Sequence, residues 1–138
     1  ALPARNASAP QAPTRLGLLL GNTRYLDAAA GTLRATWRAL EQHPHAHATM
    51  LVALEEHLDP PQIVIIRGAG NEISQWQAAL NRIYAPQRLV FAIPADAKDL
   101  PREIADKQPQ GDVVAYVCRG TVCSAPIRSL PALATLVG

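Results

Sequence analysis

Apolar residues recur along this chain first at helical spacing and then at strand spacing. Leu26, Ala29, Ala30, Leu33, Trp37 and Leu40 fall three or four positions apart. That stripe predicts a helix from Thr23, read as its N-cap, through about Gln42. Ala46, Met50, Leu51, Leu54 and Leu58 predict a second helix, which Pro44 can open. The two read as an antiparallel pair with a short joint at His43-Pro44. Ahead of them, Pro3, Pro10 and Pro13 lie among Ala and Ser and read as loop. A short first helix is predicted from Pro13, as its first residue, to Gly21-Asn22.

The pattern changes at Asp59-Pro60-Pro61. Ile63–Arg67 reads as a strand and Gly68-Ala69-Gly70-Asn71 as a turn. Ile73, Trp76, Leu80, Ile83 and Tyr84 form a helical stripe that Pro86 stops. Arg88–Ile93 is a second strand, ended by Pro94, and Asp99 caps a short helix near Leu100–Lys107. Val113–Cys118 is apolar throughout and reads as a third strand buried on both faces, as in a parallel sheet. Pro126 is expected to prevent a return to sheet pairing. Ser129, with Pro131 two positions on, starts a terminal helix over Leu130–Val137. The fold class predicted is α/β. A helical segment, residues 1–58, packs on a small domain, residues 59–138, of three or four mostly parallel strands joined by right-handed crossovers.

Composition narrows the function classes. The chain has 13 basic and 11 acidic residues, five and four before position 59 and eight and seven from it onward. No basic stripe marks a nucleic-acid or membrane surface, so neither partner is expected. Aromatic residues are 4% of the chain, so the core must be built from Leu, Ile, Val and Ala. No apolar run reaches the about 18 residues of a membrane span. Ala1–Pro13 lacks the apolar centre of a signal peptide and, without a starting Met, reads as a trimmed piece; a cytoplasmic location is expected.

Candidate chemistry is sparse. Cys118 and Cys123 flank one turn at the carboxyl end of the third strand, the end where open α/β sheets tend to bind ligands. They read as a redox dithiol, as a disulfide, or as two small apolar residues around a tight turn. Gly68, Gly70 and Asn71 lie between a strand and a helix, as phosphate loops do. A glycine turn needing positive φ, with Asn71 as N-cap, explains them more simply. His43, His45, His47 and His57 lack the convergent partners of a zinc site, so no metal is expected, and no motif calls for a cofactor. Ser74 and Ser124 have no His–acid partner nearby in sequence. Glu55-Glu56 imitates a glycosidase carboxylate pair, but neighbours on a helix diverge by about 100°. The pair reads as surface charge.

Tyr116-Val117-Cys118, then Cys123, then Pro126 resembles a carboxyl-terminal signature of the thioredoxin-domain-containing protein family. That resemblance implies three pieces in series: a thioredoxin-like domain, a helical toroid similar to six-hairpin glycosidases and sugar epimerases, and a small α/β tail. This chain is similar to the last toroid helices plus the tail. Ala4-Arg5-Asn6 would align with a Ser-Gly-Asn turn entering a toroid helix, and Asn6 alone matches. The function the resemblance implies is a non-catalytic structural and interaction portion. Its partner would be the remainder of the parent polypeptide or a second copy. The alternative is part of a sugar-epimerase-like or thiol-redox enzyme whose catalytic residues lie mainly elsewhere.

Overall fold

The computed structural model describes residues 10–138. The Ala4-Arg5-Asn6 turn and Pro3 therefore lie outside the described residues. The chain divides into two units, the first ending at Pro60 and the second running from Pro61 to Gly138.

The first unit is helical. Helix α1 spans Gln11–Leu20, α2 spans Thr23–Gln42, a short 3-10 turn covers Pro44–His47, and α3 spans Ala48–Leu58. Helix α1 starts two residues before the position expected, with Pro10 as N-cap and Pro13 in the first turn. A proline is tolerated there because the first four helical N–H groups have no partner within the helix. Asn22, not Thr23, caps α2, and its side chain accepts from the Arg24 N–H. Leu33, Leu40, Met50 and Ala53 form the core of this unit.

The stripe expected on α3 is corrected. Met50, Ala53 and Glu56 are its buried residues, whereas Leu51 and Leu58 are exposed. The reason lies on α1. Arg15 Nε donates to Glu56 Oε2 at 3.0 Å and Arg15 Nη2 to Glu56 Oε1 at 2.5 Å. Gln11 Nε2 donates to Glu56 Oε1 at 2.8 Å. A carboxylate held by a forked guanidinium and an amide can sit inside, and it rotates α3 to put itself there. Glu55 is exposed, as expected for surface charge; Glu56 is not.

The second unit is a four-stranded mixed sheet with helices. Strand β1 spans Gln62–Gly68, α4 Gly70–Asn81, β2 Arg88–Pro94, α5 Arg102–Ala105, β3 Val113–Arg119, β4 Val122–Cys123 and α6 Leu130–Val137. The strand order is β2-β1-β3-β4. The α/β class holds, but the mostly parallel expectation needs correcting. β1 and β2 are parallel, while β3 runs antiparallel to β1 and β4 antiparallel to β3. Pro94 and Val113 both register with Gly68, so the chain leaves β2 and enters β3 at the same end of the sheet. No return crossover is needed there.

Alternation along the strands makes two apolar faces. Val64, Ile66, Ala115 and Val117 pack with Ile73, Trp76 and Leu80 of α4 and Leu133 and Val137 of α6. Ile63, Ile65, Arg67, Val114, Tyr116 and Cys118 alternate with those positions and are also buried. The 95–112 segment ties itself to this second face through Tyr116 Oη, which donates to the Gln108 carbonyl at 2.7 Å.

Local signals fared unevenly. Ser129 caps α6 as expected, accepting from the Ala132 N–H. Helix α4 stops at Asn81, so Ile83 and Tyr84 fall beyond it and are exposed. Pro101, not Asp99, precedes α5, and Asp99 instead takes a positive φ of 55°.

Candidate functional site

The two cysteines meet across a hairpin. β3 turns through Gly120-Thr121 into β4, and Arg119 pairs with Val122 and Cys118 with Cys123. A two-residue loop of this kind needs positive φ at a central position, and Gly120 supplies it at 59°. Directly opposed residues sit close together, and the Cα atoms of Cys118 and Cys123 are 4.0 Å apart, joined by a disulfide. Cys118 is 7% exposed, whereas Cys123 is exposed.

Three further links hold the hairpin beyond the disulfide. The Ser124 N–H donates to the Val117 carbonyl at 2.8 Å, and Ser124 Oγ accepts from the Val117 N–H at 3.1 Å. Ala115 and Ile127 exchange backbone bonds at 2.8 and 2.9 Å. Sheet pairing therefore resumes immediately after Pro126, against expectation. Two residues, Ala125 and Pro126, stand opposite the single Tyr116, which makes a bulge. Proline is tolerated there because its missing N–H would not have entered the ladder.

The structure separates the two candidate sites. Gln62 registers with Arg119 and Gly68 with Val113. The disulfide thus lies at the amino end of β1, and Gly68, Gly70 and Asn71 lie at its carboxyl end. The rule that ligands gather beyond strand carboxyl ends concerns parallel strands, here β1 and β2, and does not reach the cysteines. At the carboxyl end Asn71 is not the N-cap of α4: Ala69 is, without a side-chain bond. Neither Gly68 nor Gly70 has positive φ. Gly68 is required for another reason. A Cβ there would lie 2.3 Å from the Asp112 carbonyl oxygen and 2.9 Å from Val113 Cα. Glu72 occupies the first turn of α4, opposing an anion at that helix start.

Arg67 is a residue that sequence reasoning missed. It is 3% exposed, Nη2 lies 3.5 Å from the Ala95 carbonyl, and Nε and Nη1 have no protein partner. Its place in the alternation with Ile63 and Ile65 was the available signal.

The helical unit carries a cavity of about 300 Å³ lined by Ala30, Leu33, Arg34, Trp37, Leu54 and His57. Trp37, expected in the core stripe, is 49% exposed at its edge. Among the described residues no group of three or more His, Cys, Asp and Glu side chains is placed to hold a metal ion. No described helix is long and apolar enough to cross a membrane. Comparison with protein-family models, with curated proteins and with solved structures finds no match.

Proposed function

We propose that this chain is a structural and interaction module, similar to the closing portion of a larger thioredoxin-domain-containing polypeptide, and that its helical unit docks through the α2–α3 groove. The observation that carries this reading is the largely apolar cavity of about 300 Å³ beside the half-exposed Trp37. An open apolar groove beside an exposed aromatic ring marks an interaction site. The tail motif from Tyr116 to Pro126 supports the wider family reading.

The occupant is a second copy of the chain, seated through its own α2. Arg34 precedes Trp37 by three positions and Glu41 follows it by four, and both are exposed. At 3.6 residues per turn they stand on the same flank of Trp37, at about 60° and about 40° around the helix. A two-fold axis beside Trp37, with antiparallel α2 helices, sets Arg34 of one copy level with Glu41 of the other, twice over. That is the self-complementary patch an isologous dimer needs.

Sedimentation velocity over a concentration series tests this. The expected result is a reversible dimer that weakens with salt. Arg34→Glu should shift it to monomer, and the double change Arg34→Glu with Glu41→Arg should restore it. A monomer at every concentration, with Trp37 emission still that of a solvated indole, overturns the self-docking and leaves the groove to helices of a longer polypeptide.

A further inference from the structure

We infer that the Cys118–Cys123 disulfide is a thiol-exchange site, opened at Cys123 by a dithiol reductant and reclosed without unfolding the sheet. Access selects the sulfur attacked. Cys118 is 7% exposed on a buried strand, and Cys123 is exposed on the two-residue β4 at the sheet edge. An incoming thiolate therefore bonds to Cys123 Sγ. The Cys118–Cys123 bond breaks, and its electron pair goes to Cys118 Sγ, which takes up a proton. The second thiolate of the reductant then attacks its own first sulfur and releases Cys123 Sγ, which is protonated in turn. The protein disulfide is reduced to two thiols, and the dithiol is oxidised to a disulfide.

Geometry also selects the class of reductant. Cys118 and Cys123 keep their Cα atoms 4.0 Å apart through the strand pairing. In a mixed disulfide on Cys123, the Cys118 thiol therefore stands beside the bond that would reclose the ring. Held that close, it outcompetes a monothiol from solution. A reductant that carries its second thiol on the same molecule completes the reaction first. Reduction leaves the fold standing for two reasons. The disulfide closes a short loop, between cysteines five positions apart, so it constrains the unfolded chain little. The hairpin also keeps the Gly120 turn, both Ser124–Val117 bonds and the Ala115–Ile127 pair.

The test treats the full chain, under native conditions, with dithiothreitol and with glutathione at equal thiol concentration. Complete reduction by dithiothreitol is expected, at least tenfold faster than by glutathione and at a rate proportional to reductant. Amide shift changes should be confined to β3, β4 and the segment to Ile127. In Cys118→Ala, glutathione disulfide should give a lasting adduct on Cys123. If that variant does not fold, the wild-type rates still decide. A reduction rate that stays flat with reductant concentration and equals the unfolding rate overturns the inference. So does loss of the sheet on reduction, or an adduct found chiefly on Cys118 of the wild type.

Discussion

Arg15→Met removes the guanidinium that meets both oxygens of the buried Glu56 carboxylate. Breaking a buried pair from one side costs about 3–5 kcal/mol. The lower end is expected here, because the Arg15 side chain is 34% exposed against 2% for Glu56. Urea unfolding of the full chain measures it, and Arg15→Met with Glu56→Leu should recover most of the loss. Arg67 predicts the reverse sign. Two of its buried nitrogens have no protein partner, and an unsatisfied buried donor costs about 1–3 kcal/mol. Arg67→Met should therefore raise the urea midpoint; a lower midpoint would show that the guanidinium has a partner. Both residues were hard to read from sequence for one reason. Charge is placed outside by default, and the partner that licenses Glu56 stands on another helix, 41 positions away. The cysteine pair was easier, because residues five apart around a glycine can meet only locally.

At the scale of elements, the three long strands and the parallel pairing of β1 with β2 were legible, whereas β4 and the direction of β3 were not. Val113–Cys118 is apolar throughout, and a strand covered on both faces reads the same whichever way it runs. Direction is set by the connection. Returning along a seven-residue strand means spanning about 23 Å, which the β1–β2 connection does with the twelve-residue α4. The segment after β2 carries only the four-residue α5 and leaves and re-enters the sheet beside Gly68, so it shifts sideways to start β3. That close approach carries a prediction. Gly68→Ala puts a Cβ 2.3 Å from backbone at Asp112, and overpacking of this kind costs about 1–3 kcal/mol. Gly70→Ala, with nothing within 4 Å of the added carbon, should leave the urea midpoint close to the parent. Equal midpoints for the two variants would refute the steric account of Gly68.

For the whole molecule, the main cluster of the second unit is made entirely of its own residues, from Val64 to Val137. Residues 61–138 alone should therefore unfold cooperatively, with Trp76 emitting as a buried indole until the transition. A gradual, non-cooperative melt would show that the boundary at Pro60 cuts a shared core. The edges of this sheet have a consequence for colloidal behaviour. An open edge is a template on which another chain can lay a strand, the first step toward fibrils. Beside β3 the outer segment offers little template. It is two paired residues and then a bulge that includes Pro126, which presents no N–H. Filling that gap, by deleting Ala125 and replacing Pro126 with Thr, would give a longer and straighter edge. The variant should stay folded when dilute and precipitate as ordered fibres when concentrated, at a level where the parent chain remains clear.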